Sequence, residues 1–408
     1  MHDPRISGLF AAADDGELLI GGERASDLVE RAGDTPLFVY DRSVIDRQIA
    51  ALRQAMPRGV ELHFAVKANP YQPVIDHIAG QVDGLDIASA GELEFALASG
   101  CDPGEISFAG PGKRDRELDA AIRAGVTLNC ESAGELRRTL TIAEMLGETP
   151  RIALRVNPTF DLKGSGMRMG GGAKPFGVDT DQVPALLRRI GEAGADFRGF
   201  HIFAGSQNLK PDAIIEAQAQ TVALVAELAA HAPAPPPTAN IGGGFGLPYF
   251  PGDVPLDLEP IGAALAETLA NRPAILKDTR FILELGRYIV GTSGVYLTRI
   301  VDRKESDGQT FLVTDGGLHH QLAASGNFGT VIRRNYPLVH AGRANHPPEE
   351  TVNVVGCLCT PLDKLGDKND LPKADVGDLI AVFMAGAYGR SASPERFLGH
   401  PSPIELLV

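Results

Sequence analysis

The sequence predicts a (β/α)8 barrel joined to a C-terminal all-β domain, and three observations carry that prediction. From Leu62 onward, short apolar or β-branched runs alternate with helical stretches. Eight such runs occur, the early ones about 20–25 residues apart, which is the step of a compact βα unit. After Arg287 the helical periodicity stops, and short runs separated by turns replace it. The 408 residues also exceed the roughly 250 of a barrel alone, so a second unit is required.

Each element can be justified in chain order. The N-terminal segment holds short strands at Glu17–Ile20 and Leu37–Tyr40. The barrel strands are Leu62–Val66, Gly84–Ala88, Ile106–Ala109, Val126–Cys130, Ile152–Val156, Gly199–Phe203, Ala239–Gly242 and Arg280–Leu285. Gly, Pro, Asn or Asp bound these runs, as expected of buried parallel strands. Ser-Ala-Gly-Glu-Leu occurs at Ser89–Leu93 and again at Ser132–Leu136, two βα units later. Each Ser can cap a helix, with Glu three residues on, the spacing of a capping box. Gly164–Gly177 is a glycine-rich loop after the fifth strand, a position suited to a lid, and Pro233–Pro237 is a surface loop before the seventh. Val295–Ile300, Thr310–Thr314, Thr351–Gly356 and Leu379–Phe383 are strands of the β domain. The expected domains are residues 40–290 for the barrel, and 1–39 plus 291–408 for the β domain.

Composition narrows the function. With 44% hydrophobic and 22% charged residues, the chain can bury a large core. The net charge of −14 repels phosphate backbones, so nucleic acid is not an expected partner. No apolar window is long enough to span a membrane, and Met1–Arg5 lacks the features of a signal peptide. Four cysteines are too few for a disulfide scaffold, which leaves a cytoplasmic enzyme as the expectation.

In such barrels the chemistry sits at the C-terminal ends of the strands. Lys67 follows the apolar run Phe64–Val66. Taken alone it reads most simply as a lysine that snorkels to solvent. Strand seven runs into Gly242-Gly-Gly-Phe-Gly246, where bare backbone could approach an anion. A dinucleotide fingerprint is excluded, because Leu247 stands where its third glycine would be. Strand eight ends in Glu284-Leu-Gly-Arg287, and strand six in His201-Ile-Phe-Ala-Gly-Ser-Gln207. An amine, an acid, an arginine, an aromatic face and a glycine cradle at one mouth form the set that pyridoxal phosphate requires.

On these residues the chain resembles the fold-type III pyridoxal-phosphate decarboxylases of the diaminopimelate and ornithine group, whose barrel is alanine racemase-like. The likeness runs from Thr35-Pro-Leu-Phe-Val-Tyr-Asp41 to Ala385-Gly-Ala-Tyr388. It implies that Lys67 is the Schiff-base lysine and that Glu284 faces the ring nitrogen, favouring its protonated form and decarboxylation. It implies further that Ser206, Gly243, Gly244, Gly286 and Tyr388 hold the phosphate, with Arg287 near phosphate and substrate. Gly356-Cys-Leu-Cys-Thr-Pro-Leu-Asp363 resembles the family's cysteine motif, which makes Cys359 the residue that reprotonates the α-carbon. That cysteine crosses from the partner subunit in the family, so the resemblance implies a homodimer with shared sites. Cys357 and Cys359 could also form a C-x-C metal pair, but no second Cys/His cluster lies nearby in sequence and no metal is expected.

Three departures bear on the substrate. Three positions before Ser206, where the family stacks a histidine on the cofactor, stands Phe203, which offers a face without a hydrogen bond. Thr360 follows Cys359 where the amino-acid decarboxylases carry an acid for the distal amine, leaving Asp363 as a possible contributor. In Asp315–Gly329 the family's substrate arginine falls near Ala323, and Arg333-Arg334 either binds an acidic group or decorates the surface. These features resemble a subgroup tied to exosortase loci and to carrier-protein-linked aminoacyl substrates. The expected activity is decarboxylation of an amino acid or derivative. Diaminopimelate decarboxylase and a non-catalytic cofactor-binding homologue are the alternatives.

Overall fold

The computed structural model describes residues 3–164, 166–326 and 334–408. The barrel strands are β1 (Val60–Ala65), β2 (Gly84–Ile87), β3 (Ile106–Phe108), β4 (Thr127–Cys130), β5 (Arg151–Asn157), β6 (Asp196–Ile202), β7 (Thr238–Gly243) and β8 (Arg280–Leu285). All pair in parallel in chain order, and β8 returns to β1, which closes the barrel. Closure removes free strand edges. β6 starts earlier than its apolar run, because Asp196 and Arg198 interrupt the run and a bulge lies between Phe197 and Gly199.

The intervening helices bury one stripe. In Asp115–Ala124, Leu118, Ala121 and Ile122 face inward, an i, i+3, i+4 set, and Gly125 ends the helix in the left-handed conformation. Both Ser-Ala-Gly-Glu-Leu copies cap helices: Ser89 Oγ accepts from Glu92 N at 3.1 Å, and Ser132 Oγ from Glu135 N at 3.0 Å. The reciprocal arm differs from a strict capping box. Glu92 accepts from Ala88 N, one residue before the cap, and Glu135 accepts from Glu131 N.

After the barrel comes a mostly β unit with β9 (Gly294–Ser306), β10 (Gln309–Thr314), β11 (Leu338–His340), β12 (Glu350–Val355), β13 (Lys364–Leu371), β14 (Leu379–Val382) and β15 (Ile404–Leu407). The sheet runs β11-β14-β9-β10-β12-β13, and Leu37–Tyr40 joins it between β9 and β15. β13 gave no apolar signal in sequence because it is an edge strand reading Lys-Leu-Gly-Asp-Lys-Asn-Asp-Leu; charges on an edge discourage pairing with other chains.

The chain divides into two compact units. One comprises Met1–Gln48, Pro248–Pro255 and Arg287–Val408; the other comprises Ile49–Leu247 and Leu256–Gly286. The loop Pro248–Pro255 after β7 groups with the sheet, although it lies inside the range expected for the barrel. Among the described residues, no helix is long and apolar enough to cross a membrane.

Candidate active site

Strand adjacency assembles a candidate site within the barrel unit. β1 ends at Ala65 and passes into a 3-10 turn, Val66–Ala68, which buries Val66 and Ala68. The turn leaves 45% of the Lys67 side chain exposed, with Nζ 3.0 Å from Glu284 Oε1. Glu284 is the penultimate residue of β8 and is buried; its Oε2 lies 2.9 Å from His201 Nε2 at the end of β6. Gly243 of β7 is the register partner of Glu284, whose own partner on β1 is His63, four residues before Lys67.

The electrostatics separate two carboxyl groups. Burial alone would raise the Glu284 carboxyl, but the Lys67 charge and the His201 hydrogen bond outweigh it and hold the group well below the ordinary carboxylate range. Asp86 on β2 moves the other way: burial and the negative charge of Glu284 push it well above its ordinary value. Glu284 is therefore the ionised carboxyl, and Asp86 is the one of the two that burial and a like charge dispose toward holding a proton. Burial also lowers the pKa of His201, so its neutral ring donates Nε2–H to the Glu284 carboxylate.

The glycine run after β7 forms a turn whose backbone is bare of side chains. Gly242 and Gly244 take φ of 70° and 74°, where side chains are strained. A Cβ on Gly244 would collide with the carbonyl of Gly205, and one on Gly286 would lie 2.7 Å from the Ala68 methyl. Ser206 Oγ is buried and lacks a hydrogen-bond partner among the described residues, which marks a place for an acceptor from outside the chain. Strand Gly205–Ser206 pairs with Met167–Arg168, and Gly166 N donates to Ser206 O at 2.9 Å. The glycine-rich loop expected as a lid is thus tied along the Ser206 strand, with Ser165 outside the described residues. The Phe203 ring centroid is 6.0 Å from Lys67 Nζ. An accessible amine beside an ionised buried acid, an orphaned hydroxyl and a side-chain-free turn fit pyridoxal phosphate.

The remaining expected residues lie in the other unit. Arg287 Nη1 is 3.1 Å from Tyr249 Oη, and its guanidinium is 4.6 Å from the Tyr388 ring centroid. Tyr388 sits at φ 53°, a left-handed conformation uncommon outside glycine. Cys359 is exposed and Thr360 half-buried, between β12 and β13. The expectation for Asp363 needs correction. Its carboxylate is buried and accepts from Leu318 N at 2.6 Å and Leu358 N at 2.8 Å, so it secures two backbone segments and is not available to a substrate amine. Ala323 is buried, and Arg334 stacks 4.0 Å from the Phe250 ring centroid. Arg333 and Asn327–Gly329 lie outside the described residues.

Several polar residues escaped the sequence reading. Asp86, and the buried pair Arg155–Glu131 at 2.8 Å, come from the ends of β2, β4 and β5, whose charges resembled ordinary strand-end residues. The rule that led to Lys67 and Glu284 would have reached them had it been applied at every strand. His319 and His400 gave no local signal, yet the fold brings both to Cys357.

Comparison with known proteins agrees with this geometry. Residues 42–291 match the family model of the pyridoxal-dependent decarboxylase, pyridoxal binding domain. The chain is 36% identical over 383 residues to the L-glutamyl-[BtrI acyl-carrier protein] decarboxylase of Niallia circulans, covering 92% of this chain and 89% of that protein. It is 31% identical over 406 residues to the diaminopimelate decarboxylase of Methanothermobacter thermautotrophicus, covering 97% and 91%. Among solved structures, the diaminopimelate decarboxylase of M. jannaschii in complex with L-lysine superposes with a TM-score of 0.87 at 27% identity, over 98% of this chain and 92% of that one. The chain belongs to the pyridoxal-dependent decarboxylases, and its cofactor is pyridoxal phosphate.

Proposed function

We propose that this decarboxylase removes the α-carboxylate of an amino acid carried on a carrier protein, and that it works as a homodimer. Thr360 is the observation that carries the reading. A tethered substrate with a free α-carboxylate must be attached through its side-chain carboxyl, so its distal end is a neutral thioester. A neutral hydroxyl suits that end, whereas a distal ammonium would need a counter-ion. With Asp363 occupied by backbone, neither residue supplies one. The Niallia circulans relative, named for a glutamyl group on an acyl-carrier protein, supports the same class.

Lys67 Nζ would hold the cofactor, while Ser206 and the backbone of Gly243, Gly244 and Gly286 would take its phosphate, a role that the family resemblance also gives Arg287 and Tyr388. Phe203 supplies the stacking face. Glu284 stays ionised and keeps a proton on the ring nitrogen, and His201 fixes the carboxylate in place. Pyridoxal phosphate, when bound, supplies the sink for the electron pair left by departing CO2. Cys359 delivers its Sγ proton to the substrate α-carbon, reaching the site of the partner subunit.

The test is CO2 release by the cofactor-loaded enzyme from free L-, D- and meso-amino acids and from carrier-protein thioesters. Release from a thioester alone is expected. Release from diaminopimelate alone would return the enzyme to lysine formation, and silence throughout with cofactor bound would favour a non-catalytic homologue. Mixing inactive Lys67→Ala and Cys359→Ala proteins should restore part of the activity; failure to do so would refute shared sites.

A further inference from the structure

Apart from the residues assigned above, the sheet unit gathers His319, Cys357 and His400, with one ligand atom of each lying within 4.8 Å of the others. His319 is fully buried, and neither ring nitrogen has a hydrogen-bond partner among the described residues. Leaving two such atoms unsatisfied is costly, so the ring is disposed toward something from outside the chain. Cys357 Sγ lies 3.7 Å from His400 Nδ1, and the His319 and His400 ring centroids are 5.1 Å apart. Donors bound at about 2.0–2.3 Å around a tetrahedral ion stand roughly 3.3–3.7 Å from one another. The Cys357–His400 spacing already meets this value, and no spacing in the cluster needs a contraction of more than about 1.5 Å.

The frame around the cluster is built. Asp363 clamps Leu318 N and Leu358 N, the residues next to His319 and Cys357. His320 Nε2 donates to Pro401 O at 2.9 Å, which ties down the residue after His400. The other group of this kind, Glu61, His63 and Glu105, already contains a cation: Arg280 lies 2.8 Å from Glu61 and 3.3 Å from Glu105. Among the described residues, the cluster at Cys357 has no such occupant.

We propose that His319, Cys357 and His400 form a binding site for a divalent ion of zinc type. Two imidazoles and a thiolate suit that ion, and a water would complete its tetrahedron. Binding forms a metal–sulfur bond and releases the Cys357 thiol proton to solvent. The site is independent of the substrate reading, since its readout is metal binding.

The experiment is Co2+ titration of the chelator-treated holoenzyme. One equivalent per chain is expected, with a thiolate-to-cobalt band, tetrahedral d–d absorption to the red of the cofactor band, and bleaching by Zn2+. Cys357→Ser should abolish the thiolate band and weaken binding by more than about 100-fold, beyond the loss typical of a supporting residue. His400→Gln, at a half-exposed position that should not disturb folding, should weaken binding while keeping the thiolate band. Cys359→Ser should leave both signals unchanged. Absence of stoichiometric binding, or a thiolate band that survives Cys357→Ser or vanishes in Cys359→Ser, would overturn the site.

Discussion

Lys67 and Lys113 each follow a barrel strand, β1 and β3, and the fold treats them in opposite ways. The Lys113 side chain is 1% exposed, and its ammonium donates to Gly110 O, Asn129 O and Glu135 Oε1 at 2.7, 2.9 and 2.7 Å. Those acceptors use all three of its protons, so nothing remains for chemistry. Lys67 also meets a carboxylate, yet nearly half its side chain stays open. An aromatic neighbour does not distinguish them: Phe108 lies 5.5 Å from Lys113 Nζ, and Phe203 6.0 Å from Lys67 Nζ. Access, rather than partner type, separates the amine proposed to hold the cofactor from the structural one. The repeated Ser-Ala-Gly-Glu-Leu serves both, since Glu135 grips Lys113 while Glu92 feels the charge of Lys67.

The largest expected effect is at Lys67. Lys67→Ala should lower turnover by on the order of 10⁴–10⁶ while leaving the melting temperature close to wild type. Full CO2 release by that variant would end the assignment. Lys113→Met should do the reverse, losing stability first, because Glu135 would be left buried without its cation. The cost should be about 3–5 kcal/mol in urea unfolding, and adding Glu135→Leu should recover most of it. A single variant as stable as wild type would break the comparison.

A smaller effect tests the barrel interior, where burial holds His63 at about 4, below its usual 6.5. The unfolded chain then takes up the proton first, so stability is full above pH 6.5 and falls as pH drops toward 4. Wild type should lose about 1.4 kcal/mol per pH unit more than His63→Gln across that window. Parallel stability curves for the two proteins would contradict this. The smallest effect concerns the two caps. Ser89→Ala and Ser132→Ala should each cost about 1 kcal/mol, but only Ser89→Ala, whose helix carries Glu92, should also change turnover. Equal turnover in both would separate Glu92 from the Lys67 environment.

The barrel could be read from sequence because a parallel strand buried on both faces must be apolar, and a βα step returns at a regular interval. Lys67, Glu284 and the glycine cradle were legible for a related reason, since the chemistry of a barrel collects at one set of strand ends. The polar edge strand β13 was not, because an edge exposed to solvent needs no apolar pattern. The role of Asp363 was not either: a carboxylate in a string does not reveal that backbone N–H groups will consume both its oxygens.

The sequence by itself determined the barrel and its β domain, which residues stand at the barrel's strand ends, and the cofactor class. Those follow from local periodicity and from rules tied to the position of a residue along its own strand. Only the tertiary structure decided which lysine stays open, which of Glu284 and Asp86 is the more acidic, and that Cys357 meets a histidine 43 positions away. Those depend on burial and on contacts between distant segments, which folding sets and no local pattern encodes.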